Sequence, residues 1–567
     1  LAQREGQEDD AQRKLCKQTR DRLLTRIPYE LLTSVESRSI VDEIRKGEVL
    51  PQNEPPVKFH SYSHAFTEKD WLVEQGANLS TDPNKKLFSY FDPLDKFAGE
   101  WRNKTPTTEA IASIFPIFLE AFEVIHTSHG AEPPLENGLW TKLGSCAQTM
   151  ARSALIPGDQ HYIKCRQVLL ECSRHPEPKP NPEYDSKYDS PSWSPFPRIE
   201  AAQGLPWLAS RSQNDNEVID AIEQLIRDKV PPVRFLTTLE LWRISGNYAE
   251  QFWKMADLIA EAEINKVVQG ALCESLGHLV WTNEAKVTRI LDRITRRTFN
   301  HGYKIELLES ALHLVMWLLL VRNNGWARMI GDRILANPGC YPKTLSGATL
   351  DALAQITPEN LGNNEAKAYA ERAREWVSRA IDSAGMELVT FGKLSAEQIT
   401  EEARSDIRNI YSVIDEVIRR IYFAAGLFEN SQKPAITDEE RKAFYFFVEP
   451  LLKQVIGVSD IEKGGLFFAS TAHQFMELLN GMLPYDPPGV LHLASAVARI
   501  GRSGGYSFDS LAVREVVQLV QSVLANHRLD VRDAQALDDL LNLLDIFTDV
   551  GWPEALQMVW RLDEIFR

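Results

Sequence analysis

Between residues 198 and 321, apolar positions return at fixed distances from four basic residues. Arg198, Arg234, Lys266 and Lys304 are followed directly by Ile199, Phe235, Val267 and Ile305. Seven residues past each basic position stand Leu205, Leu241, Cys273 and Ala311; ten past it stand Leu208, Ile244, Leu276 and Leu314. The segments are offset by 36, 32 and 38 residues, so the period is loose. Amphipathic partner stretches near residues 217–228, 249–262, 284–298 and 326–336 complete a series of helix pairs. A helix pair that cannot bury its apolar faces alone stacks on the next pair, and the pattern therefore predicts a solenoid.

The same reading extends along the chain. It predicts helices over 10–24 and 34–46, then a mixed stretch at 50–110 with Phe88, Tyr90, Phe91, Phe97 and Trp101 close together. Thr107 or Thr108 can cap a helix through Ile111, Phe115, Phe118, Leu119 and Phe122, and a further pair covers 139–155 and 161–172. Residues 175–197 hold seven prolines and the tandem YDSKYDS, which reads as a linker or loop. Tyr184, Tyr188 and Trp193 in it are candidate ligand contacts, since exposed aromatics are costly without a use. Beyond 340 longer helices are expected at 364–383, 396–425, 438–455, 464–483, 488–500, 509–525, 534–549 and 553–566. Gly551-Trp552-Pro553 separates the last two, glycine ending one helix and proline opening the next. Alternation suggesting a strand or connector is confined to 386–391.

Composition narrows the class. With 567 residues, 44% apolar and 25% charged, the chain is an ordinary globular one, too long for one compact core. No stretch reads as a membrane span or a signal peptide, the most apolar run, 311–321, being short and carrying His313. The net charge of −16 opposes general nucleic-acid binding. Six scattered cysteines suit a reducing cytoplasm better than a disulfide framework. The start at Leu1 rather than Met suggests a piece, C-terminal in position, of a larger protein.

The stretch Asp228-Lys-Val-Pro-Pro-Val-Arg234 resembles the inter-helix turn of HEAT repeats, where an Asp ends the first helix and a Val-Arg pair opens the second. The resemblance covers about 140 residues and implies polar residues bridging neighbouring turns while Val enters the core. The Asp has no counterpart at the matching positions before Lys266 and Lys304. The arrangement, with its leucine-rich end at 540–567, also loosely resembles the C-terminal repeat regions of large bacterial multidomain NTPases, antiviral STAND proteins among them. That resemblance implies an effector and an NTPase elsewhere, switched by ligand binding to the repeats.

Candidate chemistry is sparse. Gly501-Arg-Ser503-Gly-Gly505 matches the nucleophile-elbow spelling, but the preceding stretch is helical rather than a buried strand, and an inter-helix turn is expected. A phosphate loop ending at Gly392-Lys393 would need glycine where Glu387 stands and a hydroxyl where Leu394 stands. His161, Cys165, Cys172 and His175 form a weak zinc candidate, able to converge only if the helix breaks between the pairs. Lys286, Arg289, Arg293, Arg296 and Arg297 form a basic helical stripe that either binds phosphates or is a solvated face paired with Glu284 and Asp292. Trp242, Trp253, Trp281, Trp317 and Trp326 recur through the repeats, mostly as core, with one or two as surface anchors.

These readings predict an all-α chain: an irregular N-terminal helical region (1–174), the Pro-rich linker or loop (175–197), HEAT-like repeats (198–340) and longer C-terminal helices (341–567). The expected role is a cytoplasmic, non-catalytic scaffold or sensor, without cofactor or membrane contact, that binds a protein partner. The alternatives are a nucleic-acid-binding solenoid and an enzyme whose site is not visible as a motif.

Overall fold

The computed structural model describes residues 83–127, 132–301, 306–393, 400–427, 436–460, 465–503, 513–528, 530 and 534–549. The expected helices at 10–24, 34–46 and 553–566, Lys304, and the Gly551-Trp552-Pro553 stop lie outside them. All regular structure among the described residues is helical. The main helices begin with α1 (Pro83–Phe88), α2 (Phe91–Glu100), α3 (Thr108–Thr127), α4 (Pro133–Ala151) and α5 (Gln160–Ser173). There follow α6 (Pro197–Ala209), α7 (Asn216–Leu225), α8 (Pro231–Glu240), α9 (Ala249–Ala262), α10 (Lys266–Gly277) and α11 (Val280–His301). Next come α12 (Glu306–Leu320), α13 (Gly325–Ala336), α14 (Pro342–Leu353), α15 (Asn364–Gly392) and α16 (Glu401–Ala424). The last are α17 (Asp438–Val458), α18 (Ala469–Met482), α19 (Pro487–Ser503), α20 (Val513–Asn526) and α21 (Ala534–Asp549).

Local chemistry sets the helix starts. Proline opens α4, α6, α8 and α14, where its missing N–H would be unpaired anyway. Asn265, Asn324 and Asn363 each accept two backbone N–H groups at the starts of α10, α13 and α15. Thr437 and Glu440 close a reciprocal cap on α17. The alternation at 386–391 is helical, because α15 buries Ala384 and Leu388 on the face that carries Val377 and Ile381.

Alternate helices stack. The helices α2, α4, α6, α8, α10, α12, α14, α16, α18 and α20 form one row, each packed on the next. In the second row α3 meets α5, α5 meets α7, α9 meets α11, and α13, α15, α17, α19 and α21 follow in succession. The chain is thus an all-α helical-repeat solenoid, and the row passes through residues 175–197 and 340 without interruption. Close approach is built in where α4, α5 and α6 meet: a side chain at Gly204 would sit 2.6 Å from Leu169 Cδ1 and 3.2 Å from the Gln148 backbone.

Helix α3 qualifies by length and composition as a membrane span, with mean hydropathy 1.5, although no such stretch is expected from sequence. It packs on α1, α2, α4 and α5, burying Phe118 and Ala121 completely. Interhelical packing accounts for its apolar content.

Polar residues at the turns tie one repeat to the next. Arg198 of α6 forms an ion pair with Asp228 at 3.1 Å, in the turn before α8. One repeat on, Arg234 of α8 reaches Glu263 at 2.7 Å, in the turn before α10, and donates to the Asp228 carbonyl at 2.8 Å. Glu263 is the acidic counterpart that the sequence spacing conceals: it lies three residues before Lys266, whereas Asp228 lies six before Arg234. It is only 8% exposed. Arg234→Ala would strand that carboxylate and is expected to lower the unfolding free energy by about 3 kcal/mol. Urea melts should show the shift, with part of it recovered in Arg234→Ala/Glu263→Gln.

Glu200 of α6 is buried against Gly144 and Cys172. Burial pushes its carboxyl up to about 7, against the opposing pull of Arg152, Arg102 and Lys142. A group protonated more readily in the folded chain stabilises it fully below the unfolded value, and that contribution is lost as pH rises through about 7. Glu200→Gln is therefore expected to match the parent near pH 4.5 and to exceed it by roughly 2–3 kcal/mol at pH 8. Paired melting curves at the two pH values test this.

Candidate interaction surface

The structure distributes the sequence-derived candidates over different environments. In the Pro-rich segment, Arg198 donates to the carbonyls of His175, Pro176 and Pro178, anchoring the segment to the first turn of α6. Asn265 donates to the Tyr188 carbonyl at 2.8 Å, anchoring it to α10. Tyr188 is 7% exposed with its ring against Phe235 of α8, so it packs as core and is not available as a ligand contact. Burial moves its hydroxyl pKa well upward. Trp193 also lies on Phe235, at 5.9 Å, but stays 44% exposed, and Tyr184 is 37% exposed.

The basic stripe lies on α11 and is matched by acids. Arg289 pairs with Asp257 at 3.2 Å; Arg293 pairs with Asp257 at 3.3 Å and Glu261 at 2.6 Å, both on α9. Arg296 pairs with Asp292 at 2.8 Å as anticipated, whereas Glu284 pairs with Arg322. Arg297 donates to the Ala260 and Glu263 carbonyls, satisfying the end of α9, and Lys286 lies over the Trp253 ring. Guanidinium groups already engaged in this way give phosphates little to bind.

The zinc candidate does not assemble. Helix α5 runs unbroken over both cysteines, and Cys165 and Cys172 are fully buried in the interhelical core. Burial pushes both thiols well upward, which disfavours the thiolate a metal needs. His161 instead packs at a tilt against Phe115, and His175 accepts the Glu177 N–H at 3.1 Å. Of the elbow-like motif, Gly501 to Ser503 belong to the end of α19 rather than to an inter-helix turn, and Gly504 and Gly505 lie outside the described residues.

A different cluster emerges at the last turns of the first-row helices. Arg243, just after α8, is sandwiched between Trp207 of α6, at 3.3 Å from its ring centre, and Trp242, at 4.4 Å. Trp242 stacks on His278, just after α10, at 4.1 Å. At the start of α11, Trp281 meets Trp317 of α12 edge-on at 4.8 Å, and Arg322 lies over the Trp281 ring at 5.2 Å. Trp207, Trp242 and His278 are 35 and 36 residues apart and Trp281 and Trp317 are 36 apart, so the aromatics occupy related positions in successive repeats. Trp281 is 60% exposed. Arg243 and Arg322 also pair with Glu240 and Glu284, which orients both cations on the rings. Of the tryptophans noted from sequence, Trp253 is core, and Trp326 donates its indole N–H to Asp292 at 3.0 Å. Trp207 and His278 escaped the sequence reading, although the near-36 spacing of the aromatics was its available signal.

Between α13 and α15 lies a small open cleft lined by Leu319, Arg328, Asp332, Arg372, Glu375, Trp376 and Arg379. The Arg379–Asp332 ion pair, at 2.7 Å, crosses from one helix to the other there.

No family model matches the sequence, and no curated protein matches it. Among solved structures it is similar to the crystal structure of Kap121p bound to Pho4p, at 12% identity and a TM-score of 0.24. The match covers 85% of this chain and 57% of that chain, so this chain spans little more than half the length of its neighbour. The packing of alternate helices along both rows is what makes the described chain a solenoid.

With the α11 stripe already paired, Arg289→Glu/Arg293→Glu/Arg296→Glu is expected to retain no less duplex DNA at low salt than the parent. Arg297→Ala, which frees two carbonyls, should lower stability by about 1 kcal/mol. Filter binding and urea melts measure the two effects.

Proposed function

We propose that this chain is a non-catalytic helical-repeat scaffold that binds a protein partner along the aromatic–arginine stripe from Trp207 to Arg322. The carrying observation is the recurrence of half-exposed aromatic rings at related turn positions in successive repeats, with arginines stacked on them. Tryptophan and arginine are the residues most enriched where protein interfaces concentrate their binding energy. Rings separated by a repeat suit an extended partner that touches several repeats at once.

The finer reading places the chain in the cytoplasm as the recognition part of a bacterial antiviral NTPase system. Its support is the sequence resemblance: a repeat array with a leucine-rich end at 540–567 and no nucleotide-binding motif of its own. On that reading the partner is the effector–NTPase portion or the ligand that triggers it.

Affinity purification from the native host, with crosslinking mass spectrometry, identifies the partner. Trp281→Ala, at an exposed position, is then expected to weaken its binding at least about tenfold while the melting temperature stays unchanged. Undiminished binding by a Trp281→Ala/Trp317→Ala variant would remove the stripe as the interface.

A further inference from the structure

Two consecutive members of the first row, α18 and α20, bring three metal-ligating side chains together. His473 and Glu477 stand one turn apart on α18, and Glu515 stands opposite on α20. His473 Nε2 is 3.7 Å from Glu477 Oε1, and its Nδ1 is 3.5 Å from Glu515 Oε2. One donor atom from each residue can be chosen so that all three lie within 4.8 Å of one another. Asn480, on the same helix, donates to the Glu515 carbonyl at 2.7 Å and so holds the α20 backbone in place beside them.

The arrangement is poorly explained as an ion pair. Neither Glu477 nor Glu515 has a lysine or arginine ion-pair partner among the described residues. One histidine carries at most a single positive charge, so it balances at most one of the two carboxylates that flank it. A divalent ion would answer both. Ligand distances of 2.0–2.2 Å around a tetrahedral centre put donor atoms roughly 3.3–3.6 Å apart, a spacing that three donors within 4.8 Å reach by side-chain rotation of the partly exposed His473 and Glu477. The side chains are 45%, 34% and 18% exposed, which leaves the ion a path from solvent.

We propose that His473, Glu477 and Glu515 form a binding site for a divalent transition ion of the zinc type, with water completing the coordination. One imidazole and two carboxylates favour such an ion over calcium, which takes six to eight oxygens, and over magnesium, which keeps an octahedral oxygen shell. The ion would staple α18 to α20. Its role is structural and independent of the partner-binding stripe.

The test uses the full chain, stripped with chelator, dialysed and titrated with zinc chloride by calorimetry. The expected result is one binding event per chain that is absent in His473→Ala and at least tenfold weaker in Glu515→Gln, undisturbed by equimolar magnesium. Zinc should raise the melting temperature of the parent and leave that of His473→Ala unmoved. Cobalt, as a spectroscopic stand-in, should show d–d bands without a thiolate charge-transfer band. An unaltered titration in both variants, or a thiolate band placing the ion on cysteines such as the exposed Cys340, would overturn the assignment. Should His473→Ala fail to fold, the titration of the more conservative Glu477→Gln decides in its place.

Discussion

Each helix of the first row depends on its neighbours in that row to cover its sides. Helices of 10 to 15 residues, such as α6, α8, α10 and α12, are marginal alone in water, and tertiary burial supplies their stability. Helix α6 shows the consequence: Ile199, Ala201, Ala202, Leu205, Leu208 and Ala209 are all buried, because α4, α5 and α8 surround it. Small residues let the backbones approach, which is why Gly144 and Gly204 stand at the contacts around it. A helix covered on several sides loses the clean amphipathic stripe of a surface helix.

Apolar stacking alone leaves neighbouring repeats free to slide. The pairs Arg198–Asp228 and Arg234–Glu263 remove that freedom, since each joins an arginine on one first-row helix to an acid in the turn leading to the next. Both pairs are largely shielded from solvent, so a displaced repeat would leave charges without partners. The ladder lies near the first turns of α6, α8 and α10, and the Pro-rich segment is anchored at α6 and α10. The aromatic–arginine stripe lies at the last turns of the same helices. The N-terminal edge of these helices is thereby occupied by the chain's own contacts, while the C-terminal edge keeps aromatic surface exposed.

Much of the fold was legible because helical periodicity is local. Residues three and four apart must share a face whatever surrounds them, so the partner helices at 249–262 and 326–336 fall within a residue of their observed bounds. The turn at Asp228–Arg234 was legible for the same reason: its proline, its acid and its arginine act within seven residues of one another. The sequence also marked the α11 stripe and several of the surface tryptophans.

Local pattern by itself thus determined the helical class, the pairing of helices and the repeat turn. It could not decide exposure or charge pairing, because those partners lie a whole repeat away. Tyr188 is core only because Phe235 and Asn265 come to meet it, and Arg289 and Arg293 are neutralised by acids 32 to 36 residues upstream. Glu263 takes the place of the missing Asp by approaching from a differently spaced turn. Trp207, Arg243 and Trp242 become one stack, and His473, Glu477 and Glu515 one cluster, only once helices two positions apart in the chain pack side by side. That packing is a property of the stacked array, and the tertiary structure alone decided it.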